Sequence, residues 1–126
     1  MISVPVSIGE MIDKLSILQV KKNKIKDENK LEFIEKEFEL LYLLSSEYLN
    51  IFEIETIYHD LVNVNSNLWD TEDKLRIFES EQKFDSEFIF LARKVYFTND
   101  ERFRLKNEIN LTTLSEIREI KDYKKY

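Results

Sequence analysis

Apolar residues recur at helical spacing along most of the chain. Ile8, Met11, Leu15 and Leu18 step by three and four, which puts them on one helix face. The entry "SVPVSIGE" reads differently. Pro5 biases Val4 away from helical backbone angles, and Ser7 with Glu10 three residues on fits a capping box. A first helix is therefore expected from Ser7 to about Lys26, after an extended Met1 to Val6. "DENK" breaks it. A second helix is expected from about Glu28 to Leu49, with Leu31, Ile34, Phe38, Leu41 and Leu44 facing inward. The third, about Glu53 to Glu81, carries a long seam of Ile57, Leu61, Val64, Leu68, Thr71, Leu75 and Phe78. Asp85 is a cap and Phe84 a staple residue for a fourth helix, about Ser86 to Phe97. That segment is apolar almost all round, so it is expected to be central. Thr98 with Glu101 offers a further capping box, starting a fifth helix that ends near Asn110. In the tail, Ile117, Ile120, Tyr123 and Tyr126 repeat every third residue, which suits a loose helix or an arm. The fold class expected is all-α: a compact bundle of four to five helices, with a short extended N-terminus and a C-terminal arm, forming one helical domain over residues 1–126.

Composition narrows the function classes. The 126 residues include one Gly, one Pro and no Cys, with 43% hydrophobic and 35% charged residues. Scarce Gly and Pro disfavour tight hairpins, and the apolar share excludes disorder. Without Cys there is no disulfide framework and no thiolate site. No apolar run approaches the ~20 residues needed to span a bilayer. No signal peptide is visible, so a cytoplasmic location is expected. A net charge of −6 repels a phosphate backbone, so neither nucleic acid nor membrane is an expected partner. The basic runs "KKNKIK" and "KDYKKY" read as solvated helix ends. His59 is the only histidine and lies off the apolar seam, so no metal site is expected. No cofactor is indicated, and "SIG" is a cap rather than a phosphate cradle.

The candidate chemistry centres on Arg93, whose helical neighbours Ile89, Phe90, Tyr96 and Phe97 are apolar. A guanidinium placed inside a bundle must be paired. Potential partners form a stripe on the third helix: Asn65, Trp69, Glu72, Arg76 and Glu79, with Asp73 alongside. Glu72 and Arg76 have ion-pair spacing. The first helix adds Glu10, Asp13 and Lys14. The last adds Asn99, Asp100, Arg102 and Lys106. These groups are expected to surround a polar cleft between the first, third and fourth helices, walled by Trp69 and Tyr96. Such a cleft suits a small anionic metabolite of phosphate, carboxylate or nucleotide-sugar type. A second reading is a protein-interaction or homodimerisation module, in which helix 2 aromatics (Phe33, Phe38, Tyr42, Tyr48) form the contact and the charges a structural network. A third is magnesium-dependent nucleotide phosphohydrolysis, with Glu10 and Asp13 facing Glu72 and Asp73.

The stretches "VPVSIGEMIDKLSILQVKKNKI", "NSNLWDTEDKLRIFE" and "FDSEFIFLARKVYFTNDERFRLKNEIN" resemble a bacterial family of small stand-alone domains of unknown function. Ser7, Gly9, Glu10, Ile12, Asp13 and Lys14 fit its first motif. Asn65, Leu68, Trp69, Glu72 and Asp73 fit the second. Phe84, Asp85, Arg93, Tyr96, Asn99, Asp100 and Arg102 fit the third, and Lys121 with Tyr123 a trailing one. The resemblance implies that these polar positions belong together; it implies no activity. It also leads to an expected Gly-Ser turn after the last helix, which "NLTTLSEIRE" lacks.

Overall fold

The computed structural model describes residues 1–126. It contains four helices and no strand: α1 (Ile8–Lys24), α2 (Glu28–Ile51), α3 (Glu55–Ser80) and α4 (Ser86–Thr112). Three of the four starts carry a side-chain cap. Ser7 accepts from the Glu10 amide at 3.0 Å, Asp27 from Lys30 at 3.0 Å and Asp85 from Phe88 at 3.1 Å. Each satisfies an amide that has no intrahelical partner. Phe84 packs edge-on against Phe88 at 5.2 Å, fixing the chain's entry into α4. The Glu10 carboxylate does not close the expected box; it turns to Lys106 instead.

With one glycine, the chain must stop its helices by other means. Glu53, Gln82 and Leu114 take left-handed backbone angles, with φ of 53°, 56° and 55°. Each is followed by an amide that reaches back five residues: Ile54 to Leu49, Lys83 to Phe78 and Ser115 to Asn110. This is the Schellman closure usually built with glycine. A side chain there costs about 1–2 kcal/mol.

The expected division into a fourth and a fifth helix does not occur. α4 is continuous over 27 residues, and Thr98 lies in its interior. Between Ser86 and Thr112 there is neither Gly nor Pro. A lone Thr-x-x-Glu pattern cannot interrupt a ladder that every flanking residue can continue.

α1 packs against the other three helices, and α3 packs along α4. The core is Ile12 and Leu15 of α1, Leu49 of α2, Ile54 at the start of α3, Leu61, and Leu105 and Ile109 of α4. Each such side chain contributes roughly 1.5–3 kcal/mol on full burial. The expected α3 seam is in place: Leu61, Leu68 and Thr71 are buried, and Ile57, Val64, Leu75 and Phe78 half-buried. On α2 the inward face ends in Ser45 and Leu49, which are buried, whereas Leu44 is 64% exposed and does not face inward as expected.

α1 has 17 residues and α4 has 27, roughly 25 Å against 40 Å. α1 ends where the Lys24 ammonium reaches Asp70 of α3 at 2.8 Å. Beyond that level α3 and α4 pack only on each other. Ile77, Ile89 and Phe90 point away from the α3–α4 contact and are exposed, as is Phe84 before α4. The expectation that residues 86–97 are central is thus corrected: of that stretch only Leu91 is buried. Apolar character does not bury Ile89, Phe90, Tyr96 and Phe97, because they lie on the side of α4 opposite Leu91 and face no other helix. No helix is long and apolar enough to cross a membrane.

Candidate functional site

The buried charges of this protein are Asp13 and Lys106, not Arg93. Asp13 is fully buried on α1. Its Oδ1 accepts from Asn65 Nδ2 of α3 and from Arg102 Nε of α4, both at 3.0 Å. Its Oδ2 accepts from Arg102 Nη2 at 2.5 Å. Such a fork on a desolvated carboxylate is the strongest ordinary ion-pair geometry. Asn65 Nδ2 also donates to Ser16 Oγ at 2.8 Å, and Ser16 donates to the Asp13 carbonyl at 2.6 Å.

One turn along α4, Lys106 extends the network. Its ammonium lies 2.7 Å from Glu10 Oε2, 2.7 Å from Glu119 Oε2 and 4.0 Å from Asp13 Oδ2. Burial pulls its pKa down, but the bonds to Glu10 and Glu119 and the field of Asp13 outweigh this and raise it. The Arg102 guanidinium is likewise raised, chiefly by its bonds to Asp13 against the opposing effect of burial. Both cations are held charged.

Close approach of backbones locks this region. A Cβ on Gly9 would stand 2.4 Å from the Lys106 carbonyl and 2.8 Å from Asn110 Oδ1, so only glycine fits. The Gly9 amide donates to Asn110 Oδ1 at 2.7 Å, and the Ile8 amide to Ser115 Oγ at 3.2 Å. The free amides at the start of α1 are thereby used internally, and that end offers no anion site.

The residues expected to share one cleft are distributed over separate places. Glu10, Asp13, Asn65 and Arg102 do meet, but they fill the space between α1, α3 and α4 with their own bonds. Tyr96, Asn99 and Asp100 lie together on another face of α4. Glu72 and Arg76 line a shallow groove with Leu75, Glu79, Phe88 and Ala92 at the projecting end of α3 and α4. They form no ion pair with each other. Lys14 is on the opposite side of α1, paired with Glu37 of α2 at 3.0 Å. Trp69 is half-buried, and Asp73 is exposed. Arg93 is exposed and bonded to no side chain. Its expected place inside the bundle is the principal correction. Its apolar neighbours Ile89, Phe90, Tyr96 and Phe97 are exposed too, so they give it nothing to be buried in. Lys106 was among the expected groups; Ser16, Asn110 and Glu119 were not anticipated as network members. Arg102, Lys106 and Asn110 share an i, i+4, i+8 line on α4, which was a readable signal. Glu119 had none, because the tail that carries it has no periodic partner.

A separate pocket lies elsewhere. It occupies ≈ 910 Å³ between α4 and the C-terminal residues, lined by Tyr96, Asn99, Asp100, Phe103, Lys121 and residues 123–126. Residues 115–126 have no regular secondary structure, yet they are tied back along α4. Glu119 holds Lys106, the Lys121 ammonium lies 5.2 Å from the Phe103 ring centre, and the Tyr126 hydroxyl donates to Asp100. Tyr126 also packs edge-on against Phe97 at 4.5 Å. The bond to Asp100 pushes the Tyr126 phenol up to about 12. Lys124 and Lys125 line this pocket without an acidic partner.

Fold and site together define a small all-helical protein whose interior charges are saturated by one another, with an aromatic and basic pocket on a separate face. The chain belongs to a family of unknown function (DUF6165), whose family model matches residues 2–126. No curated protein and no solved structure matches it.

Proposed function

We propose that this protein binds a small anionic metabolite, of nucleotide or nucleotide-sugar type, in the pocket between α4 and its C-terminal arm. The observation that carries this reading is the pairing of two unpartnered lysines, Lys124 and Lys125, with four aromatic rings around ≈ 910 Å³. That volume falls within the range usual for small-molecule sites, roughly 300–1,000 Å³. Lysine ammonium groups suit a phosphate or carboxylate as point charges. Tyr96, Phe103, Tyr123 and Tyr126 supply faces on which a base or sugar ring can stack. Asn99 and Asp100 can take ring hydroxyls.

The arrangement favours binding over catalysis. No three His, Asp or Glu side chains converge to hold a metal ion, which leaves the magnesium-dependent reading without support. Titration calorimetry with ADP, UDP-glucose and inorganic pyrophosphate tests the proposal. Lys124→Ala/Lys125→Ala should weaken all three about tenfold or more, equivalent to ~1.4 kcal/mol. Phe103→Ala should weaken the two nucleotides and spare pyrophosphate. No heat and no rise in melting temperature with any of them at millimolar concentration, or binding indifferent to both variants, rejects the reading.

A further inference from the structure

The outer face of α2 carries an apolar stripe that nothing in the chain covers. Phe33, Leu40, Leu44 and Ile51 are 78%, 47%, 64% and 64% exposed. Their spacing is seven, four and seven residues, so all four lie within a narrow sector of the helix. The inner face, with Phe38, Leu41, Ser45 and Leu49, is turned the other way, toward α1 and the core.

We propose that this stripe is a homodimer interface in which α2 pairs antiparallel with α2 of a second copy; the idea is independent of the pocket reading. Three observations select a second copy as the occupant. First, the spacing is palindromic. Run in reverse it is again seven, four, seven, so one two-fold axis sets Phe33 against Ile51 of the copy and Leu40 against Leu44 of the copy. An isologous contact requires that self-complementarity. Second, the flanking charges match in the same register. Lys36 and Glu47 lie eleven residues apart, three turns, and so flank the stripe on one side. Neither has an ion-pair partner within the chain. The two-fold axis brings Lys36 of each copy beside Glu47 of the other, twice over. Third, the area suffices. With Leu43, also 75% exposed, the face offers on the order of 600 Å² per chain. Two copies would bury about 1,200 Å², the lower end for a specific interface. The acid-rich flanks of α2, Glu28, Glu32, Glu35 and Glu39, oppose docking on an anionic lipid surface.

Sedimentation equilibrium of the full chain at about 100 μM, above the micromolar Kd an interface of this size supports, is the first test. The expected mass is twice 15.3 kDa. Leu40→Glu/Leu44→Glu should return it to the monomer with an unchanged far-ultraviolet dichroism spectrum, since both residues are exposed. Lys36→Glu should weaken the dimer, and adding Glu47→Lys should restore it. Orientation is tested by cross-linking, because the chain has no native cysteine. Lys36→Cys/Glu47→Cys should form a disulfide-linked dimer on mild oxidation, as should an equal mixture of the two single variants. Neither single variant alone should do so, because like positions lie three turns apart. A monomer at that concentration overturns the proposal. So does a dimer indifferent to Leu40→Glu/Leu44→Glu, or self-linking by the single-cysteine variants.

Discussion

The two halves of α4 reverse the usual relation between composition and place. The first half, Ser86 to Val95, is rich in Phe, Ile and Leu, yet it buries only Leu91. The second half carries Arg102, Arg104, Lys106 and Glu108, yet it holds Leu105, Lys106, Ile109 and Asn110 in the interior. The difference is one of face and register: Leu91, Arg102, Leu105 and Ile109 lie on the side of α4 turned to the bundle, whereas Ile89, Phe90, Arg93, Tyr96 and Phe97 lie on the opposite side. α1 runs beside the charged half, bringing Asp13 to Arg102 and Glu10 to Lys106, and stops before the apolar half. Whether a side chain is buried depends on the face it occupies and on which helix reaches its level, not on the hydrophobicity of its own turn.

That contrast can be broken most severely at Arg102. Arg102→Met removes the partner of a fully buried carboxylate and should destabilise the protein by about 3–5 kcal/mol. Arg93→Met, nine residues earlier on the same helix, should change stability by less than about 0.5 kcal/mol. Urea denaturation of both variants makes the comparison directly. Next in size is Gly9→Ala. Its methyl group meets backbone, which cannot step aside, so a loss of about 1–3 kcal/mol is expected, with α1 pushed from α4. Leu114→Gly works in the opposite direction. It relieves a left-handed backbone at the end of α4 and should stabilise by about 1 kcal/mol, seen as a raised urea midpoint. The turn that the family resemblance led one to expect as Gly-Ser is made here by Leu114 and Ser115, at that cost.

The smallest effects come with pH. Lys106 has a folded pKa above its unfolded value, as does Tyr126. Groups raised in this way give stability that is complete below the unfolded pKa and is lost as pH rises through the folded one. The stabilisation from these two groups should therefore be full and independent of pH near neutrality and should decline above about pH 10. For Tyr126 the window runs from its ordinary 10.0 to about 12. Tyrosinate absorbance should show a late-titrating phenol, which Asp100→Asn moves back toward the ordinary value. A Lys106→Met variant should flatten the alkaline fall in the urea midpoint.

Much of the fold could be read from local pattern. The α3 seam works because all seven of its positions are buried or half-buried, and the caps at Ser7 and Asp85 work because capping is settled within four residues. Asp13, Asn65 and Arg102 were recognisable as polar positions that the motifs of the family resemblance place together. What could not be read was relative length and register. Arg93 and Arg102 are both arginines beside aromatic residues in one helix, but nine residues put them half a turn apart, so Arg102 faces α1 while Arg93 points away from the bundle. The pocket was equally hidden. "KDYKKY" looks like a solvated end until Glu119 and Tyr126 fasten it along α4, and those contacts span 13 and 26 residues.

Native-state hydrogen exchange along α4 tests the division of that helix most directly. The account predicts that amides from Leu105 to Ile109 exchange only by global unfolding, while those from Phe88 to Arg93 open locally and exchange faster by orders of magnitude. Uniform protection from Phe88 to Ile109 would contradict it.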